Sequence, residues 1–150
     1  MEKEFTILIA DRNPHIREFL AREMRAIGYR VLLARTGKEV LQIAYSNQPL
    51  DLVILDPDLP DQDGRDTIKS LQDRIPTLPL VIHGFISDYV DSSKVVNRGI
   101  FVEKMDSSID LLSTLAFDVL HKTRPHKPKS VKGKTTMQGE SPDESKKKGE

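Results

Sequence analysis

Short apolar runs and helix-spaced apolar positions take turns along the first 120 residues of the chain. Phe5–Ala10 (FTILIA) is a run of strand formers that stops at Asp11. Asn13-Pro14 then reads as a helix start, with Asn as N-cap and Pro at the first helical position. Ile16, Phe19, Leu20, Met24 and Ile27 follow at helical spacing and are the expected inward face, and Gly28 closes the helix. Arg30–Ala34 is the second predicted strand. Thr36-Gly-Lys-Glu39 fits a capping box, in which Thr36 and Glu39 each satisfy the other's exposed amide. The helix it opens turns Val40, Leu41, Ile43 and Ala44 inward.

Asp51–Leu55 (DLVIL) is continuously apolar and ends at Asp56. Without polar alternation it suits a strand buried on both faces, as in a parallel sheet. A turn-rich loop, DPDLPDQDG, leads to Gly64 and a short helix with Ile68 and Leu71 inward. Leu78–His83 is a fourth predicted strand, Ser87–Asn97 a weak helix and Ile100–Glu103 a brief fifth strand. Asp106-Ser107-Ser108 caps a last helix with Ile109, Leu112, Leu115, Ala116, Val119 and Leu120 on its apolar face. Five strands alternating with five helices predict an α/β fold: a doubly wound five-stranded parallel sheet, order 2-1-3-4-5, with helices on both faces. In such sheets ligands bind beyond the carboxyl ends of the strands where the order reverses, here strands 1 and 3. Asp11 and Asp56 end those two strands, which is the first functional signal.

Composition narrows the chemistry. There is no cysteine, so disulfide scaffolds, thiolate zinc sites and thiol nucleophiles are excluded, and a reducing cytoplasm fits. The N-terminus lacks a signal peptide's basic region and long apolar stretch, and no run reaches the roughly 18 apolar residues of a membrane span. The net charge of zero hides an asymmetry. Residues 121–150 carry nine Lys/Arg against four Asp/Glu, whereas 1–120 carry fourteen against nineteen. A domain over 1–122 is expected, followed by a basic tail over 123–150 that is too polar to bury a core and reads as disordered. That tail could meet an acidic partner, nucleic acid or a membrane surface. It holds no aromatic side chain to stack on bases.

The stretch DLVILDPDLPDQDG, residues 51–64, carries a specific resemblance. A buried strand ending in Asp56, followed by Pro57-Asp58-Leu59-Pro60 and Asp63-Gly64, resembles the phosphoacceptor loop of the response-regulator receiver domains of two-component signalling. The resemblance covers roughly residues 4–121 and implies the flavodoxin-like form of the predicted sheet. It makes Asp56 the phosphoacceptor and Lys104 the partner of its carboxylate or of a phosphoryl group. It implies a Mg²⁺ site at Asp11, Asp56 and the backbone carbonyl of Asp58. It places the switch positions at Gly84 and Phe101, and implies a histidine kinase or a downstream signalling protein as partner. No enzymatic turnover is implied beyond self-catalysed aspartyl phosphorylation.

The chemistry explains these residue types. A carboxylate attacking a phosphoryl group meets charge repulsion, so cations must neutralise the oxygens and hold an in-line geometry. Hard oxygen ligands with waters retained are what Mg²⁺ prefers. Two departures stand out. The family usually ends strand 1 with two adjacent acids, and here the pair is Asp11-Arg12. A guanidinium cannot bind a cation, but it can pair with a carboxylate. Arg12 is therefore expected either to pair with Asp56 or Asp11 in place of the metal's charge, or to swing into solvent beside a weakened Mg²⁺ site. Gly84 stands where the family has Thr or Ser, and offers no hydroxyl. Met105 replaces the usual proline after Lys104, which puts the family's cis bond there in doubt. His83 reads as a packed strand histidine.

The expected function is a single-domain receiver acting as a signalling interaction module with an impaired phosphorylation site. The alternatives are a fully competent phosphoacceptor and a nucleic-acid-associated regulator that uses the tail. The acids Asp56, Asp58, Asp61, Asp63 and Asp66 lack the spacing and closing Glu of a calcium loop. A hydrolase reading built on Asp11, Asp56 and Lys104 lacks a second acid in the pattern D-x-D at strand 1.

Overall fold

The computed structural model describes residues 4–61, 64–85 and 99–123. Its elements are β1 (Thr6–Ala10), α1 (Pro14–Ile27), β2 (Arg30–Ala34), α2 (Gly37–Ala44), β3 (Leu52–Leu55), α3 (Gly64–Gln72), β4 (Leu80–Gly84), β5 (Gly99–Glu103) and α4 (Ser108–Thr123). The five strands form one sheet in the order β2-β1-β3-β4-β5, every pair parallel, as the alternating pattern predicts. The predicted helix Ser87–Asn97 and the predicted tail lie outside the described residues, apart from Thr123 at the end of α4. No helix among the described residues is long and apolar enough to cross a membrane.

Period-2 alternation sorts each central strand onto two cores. Leu8, Ala10, Val53, Leu55, Leu80 and Ile82 face one side, with Val40 and Ala44 of α2 and Ile68 and Leu71 of α3. Ile7, Ile9, Leu52, Ile54, Val81 and Val102 face the other, with Leu20, Ala21 and Met24 of α1 and Leu112, Ala116 and Leu120 of α4. β1, β3 and β4 are buried along their whole length, which is why they carry no polar alternation.

The helix ends follow their local chemistry. Asn13 Oδ1 accepts the amides of His15 and Ile16 at the start of α1. Gly28 ends it at φ 120°, where a Cβ would be strained. At α2, Thr36 Oγ1 accepts the Glu39 amide, but the Glu39 carboxylate reaches the amide of Arg35, one residue before the expected partner Thr36. A second cap comes from a distance. Asp61, in the loop after β3, accepts the amides of Gly37 and Lys38 at 2.7 and 3.0 Å.

The inward face of α1 departs from the expectation. Arg17, Leu20, Ala21 and Met24 are buried, while Phe19 and Ile27 are largely exposed. The burial stripe still has helical spacing, but an arginine stem occupies one of its positions.

Candidate functional site

The parallel pairing of β1 with β3 puts Ala10 beside Leu55, so the residues that follow, Asp11 and Asp56, meet at the carboxyl edge of the sheet. The backbone holds them there: the Asp56 amide donates to Ala10 O at 2.8 Å and the Asp11 amide to Ala34 O at 3.2 Å. Both side chains are almost wholly buried, at 1% and 2% exposure. Lys104 follows β5 and is fixed by the hydrogen bond its amide donates to Gly84 O at 2.8 Å. Its buried ammonium bridges the acids, with Nζ 3.1 Å from Asp11 Oδ2 and 3.2 Å from Asp56 Oδ2. Asp11, Asp56 and Lys104 are thus brought together as the sequence predicts.

Each remaining carboxylate oxygen has a donor. Asp11 Oδ1 accepts the Asn13 amide, and Asp56 Oδ1 accepts the Asp58 amide, both at 2.9 Å. Asp56 Oδ2 also takes a long bond from the Arg12 amide at 3.4 Å. Burial pushes the Asp11 carboxyl up from its ordinary 3.8 to about 6, helped by the charge of Asp56 and opposed by the Asn13 amide and by Lys104.

Arg12 corrects the first of the two expectations for it: its guanidinium pairs with neither Asp56 nor Asp11 but turns to the surface, where it meets Asp58. Nη1 lies 3.2 Å from Asp58 Oδ2, with the two side chains 51% and 59% exposed. The physical reason is desolvation. Lys104 already meets the buried acids from within, so Arg12 keeps its hydration by pairing at the surface. Asp58 accordingly turns its carboxylate to Arg12. Among the described residues no three acidic or histidine side chains gather closely enough to hold a metal ion. The oxygens that remain for a Mg²⁺ ion are the carboxylates of Asp11 and Asp56 and the carbonyl of Asp58. This set suits a water-rich Mg²⁺ shell but is one acid short of the family's.

Gly84 has a specific reason to be glycine. A Cβ there would stand 2.8 Å from Pro57 Cδ and 2.9 Å from Pro57 Cγ. The proline after Asp56 thus closes the space that a side chain at the switch position would need. Phe101 is half-buried in β5, against the core that faces α2 and α3. The Lys104–Met105 peptide is trans. His83 is buried as expected, but it is also bonded: Nε2 lies 3.0 Å from Ser108 Oγ. That hydroxyl donates to Met105 O at 2.8 Å, so the imidazole carries its proton on Nε2, and the buried Nδ1 has no partner among the described residues. Burial, with the charge of Lys104, pushes the His83 pKa down to about 4 against the pull of Asp56.

Three contributors were not anticipated. Arg17, buried on α1, donates from Nη1 to Asp11 O at 2.7 Å and holds the strand end that carries the first acid. Asp61 ties the loop after Asp56 to α2. Pro57 packs on Gly84. The only trace of Arg17 in the sequence is its helical spacing from Leu20, Ala21 and Met24.

Comparison with known proteins agrees with this geometry. The family model for the response regulator receiver domain matches residues 7–116. The response regulator MprA of Mycolicibacterium vanbaalenii is 36% identical over 87 residues, covering 56% of this chain and 37% of that protein. The chain therefore spans under half the length of the curated relatives it matches. Among solved structures, the response regulator TrrA of Thermotoga maritima superimposes twice. In complex with Mg²⁺ and BeF it is 27% identical, with a TM-score of 0.65, covering 75% of this chain and 97% of that one. In complex with the histidine kinase ThkA it is 26% identical, with a TM-score of 0.68, covering 77% and 98%.

Proposed function

The chain belongs to the response regulator receiver domain family of two-component signalling, and from that membership we propose that it acts as an interaction module whose Asp56 phosphorylation is impaired. One observation carries this reading. At the position of the family's second acid stands a cation, Arg12, engaged with Asp58 at 3.2 Å. Relative to two adjacent acids, an Asp-Arg pair is two charges more positive. The attraction for a divalent ion falls accordingly.

The retained residues have clear roles in this proposal. Asp56 would accept the phosphoryl group, and Lys104 would pass from bridging two carboxylates to meeting a phosphoryl oxygen. Asp11, Asp56 and the Asp58 carbonyl would hold a weakly bound Mg²⁺, which when present supplies positive charge to the transferring group. The packing of Pro57 on Gly84 removes the hydroxyl route by which a phosphoryl group would move the end of β4. Output would then pass through the receiver's surface to a histidine kinase or downstream protein in the cytoplasm, with 123–150 as a solvating basic extension of the domain over 1–122.

The test is incubation with acetyl phosphate and Mg²⁺, followed by intact mass. Wild type should gain little of the adduct of about 80 Da that one phosphoryl group adds, and Arg12→Asp should gain more, at Asp56. Labelling of wild type to the extent of an ordinary receiver rejects impairment. It would favour the second reading, a competent phosphoacceptor, which the intact grouping of Asp11, Asp56 and Lys104 supports. A nucleic-acid role for the tail would show as binding that falls steeply with salt and is lost on deleting 123–150.

A further inference from the structure

β4 holds the segment that carries Lys104 at two successive residues. The Gly84 carbonyl accepts the Lys104 amide at 2.8 Å. One residue earlier, His83 Nε2 donates to Ser108 Oγ at 3.0 Å. The Ser108 hydroxyl donates in turn to Met105 O at 2.8 Å, and the same carbonyl accepts the Ser108 amide at 3.0 Å. The imidazole is thus tied, through one buried hydroxyl, to the carbonyl of the residue next to Lys104.

Packing alone does not account for a histidine at this position. Leu80, Val81 and Ile82 precede it in β4, all buried, and its register partner across the sheet is Val102. An apolar side chain would suit such a strand better, because the imidazole carries into the interior an Nδ1 that has no partner among the described residues. What the imidazole adds is the Nε2 donor. Met105 gives that donor a use. It lacks the ring with which a proline would fix φ, so the backbone after Lys104 is held by hydrogen bonds instead. The direction in which Lys104 leaves that backbone decides where its flexible stem delivers the charge. Here Nζ lies 3.1 Å from Asp11 Oδ2 and 3.2 Å from Asp56 Oδ2.

We propose that His83 is a positioning residue: through Ser108 it fixes the turn from Lys104 to Ser108 and so aims the Lys104 ammonium at Asp11 and Asp56. The role of Lys104 at Asp56 rests on the function proposed above. The addition is that this role depends on a strand residue that hydrogen-bonds to neither acid. Without the Nε2 donor the turn relaxes, and the ammonium spends more time away from the carboxylates, open to water.

The reporter is the side-chain ammonium of Lys104, followed by NMR in the full chain through the exchange of its protons with water. His83→Leu removes the donor but keeps an apolar filling, Ser108→Ala removes the acceptor, and His83→Gln returns an N–H at the place of Nε2. His83→Leu and Ser108→Ala should each speed that exchange by about fivefold, the worth of one hydrogen bond, and the double variant should be no faster than either. His83→Gln should stay within about twofold of wild type. If His83→Leu does not fold, Ser108→Ala decides the same point. A histidine that only fills space would change stability in urea and leave the exchange as in wild type. Unchanged exchange in a folded variant, a Gln variant that behaves like Leu, or additive effects in the double variant overturns the assignment. None of these readouts uses Mg²⁺ or a phosphodonor, so they stand whether or not Asp56 is phosphorylated. In the Arg12→Asp chain, His83→Leu should also cut labelling by acetyl phosphate about fivefold, and equal labelling overturns the assignment as well. Labelling absent from the Arg12→Asp chain itself counts against the phosphorylation reading alone.

Discussion

Putting a side chain at residue 84 should destabilise the domain through one contact. A Cβ there would approach Pro57 Cδ to 2.8 Å and Cγ to 2.9 Å. Carbon atoms rest at about 3.5–4.0 Å, so the shortfall is roughly 0.7 Å. The pyrrolidine ring cannot rotate away as a flexible side chain would. Overpacking of this kind costs about 1–3 kcal/mol. Replacing glycine by alanine also restricts the unfolded chain, which returns about 0.4–1 kcal/mol. Gly84→Ala should therefore lose about 1 kcal/mol net, and Gly84→Thr, with two more heavy atoms, about 2–3 kcal/mol. Urea unfolding followed by circular dichroism measures both. Pro57→Ala in the Gly84→Thr background should restore about 1–2 kcal/mol beyond the sum of the single effects, the signature of a direct clash. A neutral Gly84→Ala, or strictly additive single and double variants, would refute the claim that Pro57 seals this position.

Other outcomes follow from the buried charges. Asp11 ionises near pH 6 when folded against 3.8 when unfolded, so its contribution to stability falls as pH rises through that window. His83 protonates near pH 4 when folded against 6.5 when unfolded, so its contribution rises with pH through nearly the same window. Each amounts to about 3 kcal/mol across its window, and they oppose one another. Wild type should thus unfold in urea with nearly constant free energy between pH 4 and 6.5, while Asp11→Asn loses stability on acidification and His83→Gln gains it; parallel profiles for all three would reject the pairing. Lys104→Met leaves two buried carboxylates without their cation and should cost about 3–5 kcal/mol at pH 7, with a smaller deficit at pH 5, where Asp11 is protonated. Arg17→Met should cost about 1–3 kcal/mol by orphaning the Asp11 carbonyl, with Arg17→Lys recovering only part, as seen in the same urea titrations.

Most of the fold was legible because burial on two faces writes itself as apolar runs, and helix ends write themselves as Asn13-Pro14, Thr36 and Gly28. Asp11, Asp56 and Lys104 were legible for a related reason: each sits one residue beyond a strand, so finding the strand finds the acid or the lysine. Other features depended on contacts between segments remote in sequence. The guanidinium of Arg12 chose Asp58 because Lys104 had already met the interior acids. Asp61 caps a helix that starts 24 residues before it. The face of α1 departs from its hydrophobic pattern at Phe19 and Ile27 because periodicity counts an arginine as polar, while the stem of Arg17 packs inward.

The contact between Pro57 and Gly84 also bears on how this domain can change over generations. A hydroxyl-bearing side chain at 84 meets the ring of Pro57, and loss of that ring alone removes its packing on Gly84. Each single step toward a family-like site therefore passes through a less stable chain, although the two steps together need not. The two positions are therefore constrained together: a hydroxyl-bearing side chain at 84 calls for a second substitution at 57. A signalling protein held this way keeps the receiver's shape while its inputs are free to diverge.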